Sequence, residues 1–298
     1  MLDRRSVLLA ALIALSAAGS AESDERINAV ATFSILGDLV RNVGGDRLEV
    51  TTLVGPNGDA HVYEPSPADA RRLAAAKIVF MNGLGLEGFM PRLIKASGTR
   101  AVVVVATKGI MPRQMAHGEH DRAAIDPHAW QSVANAKIYV ADIRDALATA
   151  DPAGKAVYDA NAAAYIARLD ALESEVRDIV AKIPPERRRI ISTHDAFGYF
   201  SQAYGLDFIA PQGVSTEAEV SARDVAKIIS QVRKEKIPAV FLENVSDSRL
   251  VQRISEETGA RIGGTLYSDA LTDEKGEAPT YIDMVRHNIR TLSAALTS

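Results

Sequence analysis

The chain has 298 residues, 47% of them hydrophobic and 24% charged, with a formal net charge of −4. That is enough for two compact domains and too close to neutral for a nucleic-acid binder or a polybasic membrane adaptor. There is no cysteine, which excludes disulfides, thiolate zinc sites and cysteine nucleophiles, and removes the attachment point of a cysteine-linked lipid anchor.

Residues 1–21 read as a secretory signal peptide. Arg4 and Arg5 precede the apolar run SVLLAALIALSAA, and small residues follow up to Ala21. The run is short for a permanent membrane span. The paired arginines also fit a twin-arginine signal and do not separate the two export routes. The expectation is a periplasmic, exported protein without a lipid anchor.

From 22 to 150 the pattern is that of one α/β lobe. Short apolar runs at 27–33, 48–54, 77–83 and 101–107 read as buried strands, with amphipathic helices at 34–45 and 66–76 between them. Ser66 can cap the second helix and Pro67 suits its first turn. Strands alternating with helices imply a parallel sheet covered on both faces.

Residues 151–184 read as one long linking helix. Asp151 is placed to cap it, Pro152 fits the first helical position, and Pro184-Pro185 ends it. Tyr158, Ala162, Tyr165, Leu169, Leu172, Val176 and Ile179 recur at steps of four and three, on one face. Such a helix would be about 48 Å long. Its apolar seam could serve a coiled-coil partner, but packing along two flanking lobes accounts for it more simply.

From 185 to 298 the alternation repeats. Strands are expected at 188–193, 206–211, 238–244 and 261–267, and helices at 222–236 and 248–259. A C-terminal helix at 281–296 carries His287 as a surface residue. The fold class is therefore α/β: two lobes, each with a mostly parallel four-stranded sheet flanked by helices, joined by one long rigid helix.

Ligands of open parallel sheets bind beyond the carboxyl ends of the strands. His61 lies in the loop leaving the second strand, and His128 in the proline-tied stretch DPHAW. His194 directly follows the strand ending at Thr193, and Asp269 lies just past the last strand. Two come from each half, so a cleft between the lobes would gather them. Three imidazoles and a carboxylate suit a divalent first-row metal such as zinc. No close pair of the HExxH kind is present, and spacing alone does not separate ligands from hydrogen-bonded structural histidines. Trp130 reads as a packing residue. Glu64, Asp195, Glu217, Glu219 and Glu243 lie in or near the same stretches and could brace a ligating imidazole.

The stretches GPNGDAHVYEPSPAD, DPHAW, STHDAFGYFSQAYGL, STEAEVSARDV, FLEN and LYSDAL occur in this order. From about Ile27 to the C-terminus the chain thereby resembles the ZnuA/TroA-type (cluster A-I) zinc- and manganese-binding solute-binding proteins of ABC transporters. The resemblance implies two lobes joined by a long helix, with the metal held between them. It implies His61, His128, His194 and Asp269 as the ligands, and it implies a membrane permease as the partner. Many manganese-preferring relatives carry an acidic residue at the position of His194, so the third imidazole tilts the expectation toward Zn²⁺ over Mn²⁺.

His117 and His120 lie in a short polar segment just before DPHAW, where many zinc-type relatives have a histidine-rich loop. A solvated loop is the plainer reading; a weak auxiliary metal site is the sharper one. The functional expectation is a monomeric, non-enzymatic Zn²⁺ receptor serving an ABC importer, with a Mn²⁺ receptor as the alternative. A zinc-dependent hydrolase is less favoured, because Asp269 would fill the coordination position a reactive water needs. A surface adhesin is less favoured still.

Overall fold

The computed structural model describes residues 26–115, 125–213, 216 and 220–297. The expected signal peptide at 1–21 and the candidate auxiliary ligands His117 and His120 lie outside the described residues.

The first lobe is built on a parallel sheet of β1 (Ile27–Phe33), β2 (Leu48–Val54), β3 (Ile78–Met81) and β4 (Val102–Val105), in the order β2-β1-β3-β4. Around it lie α1 (Ser34–Gly44), α2 (Pro67–Ala75), α3 (Met90–Ser97) and α4 (Val133–Ala150). A small antiparallel hairpin joins β5 (Arg113–Gln114) to β6 (Ile125–Asp126). From Ala29 to Phe33 β1 is buried on both faces, as a mostly apolar strand inside a covered parallel sheet is. The run AVVVVAT behaves differently. It forms the edge strand β4, and Val102, Val103 and Val105 are exposed, so its apolar character does not mark burial.

Helix starts follow local chemistry. Ser66 accepts a hydrogen bond from the Asp69 N–H at 3.3 Å, and Asp69 accepts one from the Ser66 N–H at 2.8 Å, a reciprocal cap with Pro67 at the first position.

The linking helix is α5 (Lys155–Ala181), 27 residues long and so about 40 Å. A separate 3-10 turn, Pro152–Gly154, precedes it. Asp151 does not cap it as expected. Its carboxylate is engaged by Arg47 Nε at 2.9 Å and by the Tyr158 hydroxyl at 2.6 Å. The buried face carries the expected residues from Tyr158 to Val176, but its last member is Val180, with Ile179 only partly buried. The closing step is four rather than three, the drift of a straight 3.6-residue helix and not of a supercoiled seam. Accordingly α5 packs on α1, on α4 and on α9 (Tyr281–Thr297).

The second lobe holds β7 (Arg189–Ile191), β8 (Asp207–Ile209), β9 (Ala239–Glu243) and β10 (Arg261–Leu266), parallel, in the order β10-β9-β7-β8. With them are α6 (Gly198–Tyr204), α7 (Ala222–Glu235) and α8 (Ser248–Thr258). The expected fold class, two four-stranded parallel sheets with flanking helices and one long helix, is the one observed.

One hydrophobic core runs through both lobes. Phe33 and Leu36 of the first, Leu169 and Leu172 of α5, and Leu266, Tyr281 and Ile289 of the second belong to one buried cluster. A smaller cluster of Ile191, Val225, Ile228, Val240, Val251 and Ile254 lies between the second sheet and α7 and α8. Polar ties reinforce the shared core. Asp38 of α1 accepts a hydrogen bond at 2.9 Å from the N–H of Tyr281, the first residue of α9, so a carboxylate from one lobe satisfies a helix start in the other.

Leu169→Ala, which opens a cavity in that shared core, should lower the unfolding free energy by about 2–5 kcal/mol. Ala163→Ser, on the exposed face of α5, should change it by less than about 0.5 kcal/mol. Urea unfolding of the two variants checks the difference.

Candidate metal centre

The four residues singled out in the sequence converge where the lobes meet. One ligating atom from each of His61, His128, His194 and Asp269 lies within 4.8 Å of the others. His61 Nε2 is 3.2 Å from His128 Nε2 and 3.1 Å from Asp269 Oδ2. His194 Nε2 is 3.1 Å from Asp269 Oδ2, and His128 Nε2 is 3.7 Å from Asp269 Oδ1. Four donors placed 2.0–2.2 Å from a tetrahedral zinc would be about 3.3–3.6 Å apart. The donors are thus already gathered around a point of that size. Asp269 Oδ1 is buried and accepts no hydrogen bond, the condition of a lone pair reserved for a cation.

The three histidines are held in different ways. The His128 Nδ1–H donates to Asp126 Oδ1 at 2.8 Å, and the His128 backbone N–H donates to the same oxygen at 2.9 Å. When the ring is neutral, this fixes the tautomer whose Nε2 lone pair faces the centre. Asp126 Oδ2 accepts from Arg113 Nη1 at 2.9 Å. Gly198 makes room for that pair: a Cβ there would lie 2.1 Å from Arg113 Nη1 and 2.6 Å from Asp126 Oδ2. His194 Nδ1 lies 2.6 Å from Glu243 Oε2, out of line for a hydrogen bond, while Glu243 Oε1 accepts the backbone N–H groups of Thr193 and His194 at 2.7 and 3.0 Å. His61 is held through its backbone N–H, which donates to Asp59 Oδ1 at 2.8 Å.

The loop that carries His128 is pinned on both sides. Asn82 Nδ2 donates to the Pro127 carbonyl at 2.9 Å, and Asn82 Oδ1 accepts from the Tyr139 hydroxyl. Trp130 Nε1 and Gln131 Nε2 both donate to the Ser268 carbonyl, at 2.8 and 2.7 Å, next to Asp269. Trp130 is fully buried against Phe33 and the ring of His128. It is a packing residue, as its surroundings in the sequence suggest, and it also bridges the lobes.

The electrostatics are those of a buried acidic centre. The side chains of Asp126, Glu243, Asp269, His128 and His194 are 0% exposed, and His61 is 5% exposed. Burial opposes charge on His128, yet the Asp269 and Asp126 carboxylates raise it to about 9. Burial likewise opposes charge on His194, and Glu243 and Asp269 outweigh it and raise it well above the usual imidazole range. For Asp269 burial acts upward, but His194 and His128 hold it well below the ordinary carboxylate range.

The other candidates separate. Glu243 stands behind His194, as a bracing residue would. Asp195 is raised, first by burial and then by Asp126. Glu64 is exposed, and Glu217 and Glu219 lie outside the described residues. His287 is not the surface residue expected of it. It is half-buried, with Nε2 3.0 Å from the Thr265 carbonyl oxygen and its ring against Tyr267. Sequence reasoning missed the bracing role of Asp126, although an acid two residues before a histidine in a proline-tied turn was a usable signal. It missed Arg113 and Gly198 outright, since no local pattern ties either to the site.

Comparison with known proteins agrees with this architecture. The family model described as "Zinc-uptake complex component A periplasmic" matches residues 29–295. The manganese-binding lipoprotein MntA of Halalkalibacterium halodurans is 36% identical over 97% of this chain and 95% of its own length. The metal ABC transporter substrate-binding lipoprotein SsaB of Streptococcus sanguinis is 31% identical over 98% of this chain and 97% of its own. Among solved structures, the periplasmic zinc binding protein TroA from Treponema pallidum superposes with a TM-score of 0.86 at 32% identity, covering 92% of this chain and all of that one.

These names correct one expectation. MntA and SsaB are lipoproteins by name, so the reading of a receptor with no lipid anchor does not stand. That reading rested on one missing residue type and on residues 1–21, which lie outside the described structure. Physically, a protein that hands its cargo to a membrane-embedded partner gains local concentration when it is tethered beside it. The match over residues 29–295 and relatives above 30% identity across almost the whole chain establish that the protein belongs to the ZnuA family, the metal-binding substrate-binding proteins of ABC transporters, and not to an enzyme family.

Proposed function

We propose that His61, His128, His194 and Asp269 bind the transported ion directly, and that the ion this chain captures and delivers to its permease is Zn²⁺. The observation that carries the reading is the donor set: three imidazole nitrogens and one carboxylate oxygen, preassembled with an orphaned oxygen among them. Zinc takes such nitrogen and oxygen ligands in a closed tetrahedral shell. Imidazole nitrogen suits zinc where carboxylate oxygen suits manganese, and the Irving–Williams order places Zn²⁺ above Mn²⁺ at a site of this kind. A manganese receptor is the second reading, favoured by the 36% identity to a protein named for manganese. The reading takes the receptor to act as a monomer.

In this account the protein does no covalent chemistry. The imidazoles present their Nε2 atoms, Asp269 supplies the single negative ligand, Asp126 keeps the His128 ring oriented, and Glu243 holds the backbone at His194. The shared core keeps the lobes from spreading, so the donors stay near their binding geometry before the ion arrives, which lowers the ordering cost of binding.

Competitive titration of metal-free protein with Zn²⁺ and Mn²⁺ at matched free concentrations decides between the two readings. Tighter zinc binding at one ion per chain is the expected result; a preference for manganese replaces zinc as the cargo. His128→Ala should weaken zinc binding by more than about 100-fold, beyond the 10–100-fold typical of losing a bracing residue, with circular dichroism unchanged. Wild-type affinity in that variant removes His128 from the ligand shell. The raised His128, at about 9, also fixes a sign. A proton held on the imidazole must leave before Nε2 can bind a metal, so affinity should climb as pH rises through neutrality toward 9 and fall in acid. Calorimetry in buffers of different ionisation enthalpy should show net proton release on zinc binding near pH 7, and an absence of release contradicts the protonated resting state.

A further inference from the structure

Outside the ligands and their braces, one junction touches three of the segments that build the site. Asn57 lies in the loop that leads from β2 to His61, with φ at +54°, a left-handed conformation that asparagine adopts more readily than most residues. Its backbone N–H donates to the Leu271 carbonyl at 2.8 Å. Its side-chain oxygen accepts from Asn244 Nδ2 at 3.2 Å, and the same Nδ2 donates to the Ala270 carbonyl at 3.2 Å. Asn244 directly follows Glu243, which stands behind His194, and Ala270 and Leu271 directly follow Asp269. The loop of His61 in the first lobe is therefore fastened to the two second-lobe segments that hold His194 and Asp269, and separately by the Thr216 hydroxyl, which donates to Asp59 Oδ2.

His61 is the ligand that most needs such a fastening. His128 and His194 have carboxylates close to their Nδ1 atoms, whereas His61 is held through its backbone and is the one ligand with measurable exposure, at 5%. Its place in the shell depends on where the Gly55–His61 stretch is held. The left-handed turn at Asn57 is maintained by contacts from across the seam, as an uncommon backbone conformation requires.

We propose that Asn57 and Asn244 are positioning residues that hold His61 over the centre, and that this latch sets how quickly the metal leaves. The proposal rests on the metal-receptor reading above. Breaking the latch loosens the His61 loop, which the Asn57 N–H bond to Leu271 and the Asp59–Thr216 contact still hold in part, and so eases opening of the shell at its most exposed corner. Capture is less affected, because the remaining three donors stay in place to receive the ion. The latch thus governs dissociation more than association.

Stopped-flow release of Zn²⁺ from the loaded full-length protein into excess chelator, with association measured separately, tests this. Asn57→Gly keeps the left-handed turn and the N–H bond to Leu271 and deletes only the side-chain acceptor. Asn244→Ala deletes the donor. Each should speed dissociation about three- to tenfold, the effect of losing one net hydrogen bond, with association within about twofold of wild type. Because both remove one shared bond, the double variant should release zinc no faster than Asn244→Ala alone. Asn57→Asp keeps an acceptor oxygen and should release zinc no faster than wild type. If the two single variants bind one zinc and release it at the wild-type rate, the latch is overturned and the receptor reading stands. If the effects of Asn57→Gly and Asn244→Ala multiply, the two residues do not act through one bond and the proposal also fails. A wild-type protein that binds neither Zn²⁺ nor Mn²⁺ overturns the receptor reading and the latch with it.

Discussion

The structure turns on the concentration of buried negative charge where the lobes meet. Asp126, Glu243 and Asp269 have fully buried side chains, and an unpaired buried carboxylate is costly. Arg113 pairs with Asp126; the rest of the charge must be balanced by the imidazoles or by a cation among them. The neighbouring carboxylates raise both His128 and His194 despite burial, which favours protons on these rings when no cation is present. A divalent ion offers the same positive charge at the point where the lone pairs converge. Protons and metal are thus alternatives for one electrostatic requirement.

That requirement needs a frame that does not spread. The core shared by both lobes, with α5 packed against α1, α4 and α9, supplies it. Asp38 at the start of α9 and the paired donors of Trp130 and Gln131 on the Ser268 carbonyl tie the halves again at separate heights. Hinging of whole lobes would have to break these together. Movement of short loops at the rim breaks only a few hydrogen bonds, and the loop of His61 is the one placed to move.

Much of this was legible in the sequence. Strand runs such as INAVATF and LEVTTLV coincide with β1 and β2: the first is a mostly apolar segment buried inside the sheet, and the second, an edge strand, is buried only at its ends. The convergence of His61, His128, His194 and Asp269 was legible from their places in loops at strand ends and from the order of the motifs that carry them. Other features were not local. AVVVVAT looks like an interior strand, but its place at the sheet edge depends on strand order, which no run of valines encodes. Asp151 has the sequence position of a helix cap, yet Arg47, 104 residues away, claims its carboxylate. Arg113 and Gly198 matter to the site only because the hairpin of one lobe meets α6 of the other. The anchoring expectation failed differently, by resting on a missing residue instead of a present one.

The chain contains one tryptophan, and its surroundings give it a further use. The indole of Trp130 lies 5.4 Å from the His128 ring, centroid to centroid, and bonds to the residue before Asp269. Its emission therefore comes from a single known position beside the candidate centre, uncontaminated by any second indole. An ion bound as proposed would sit beside a native optical reporter, present without a dye, a label or an engineered fluorophore.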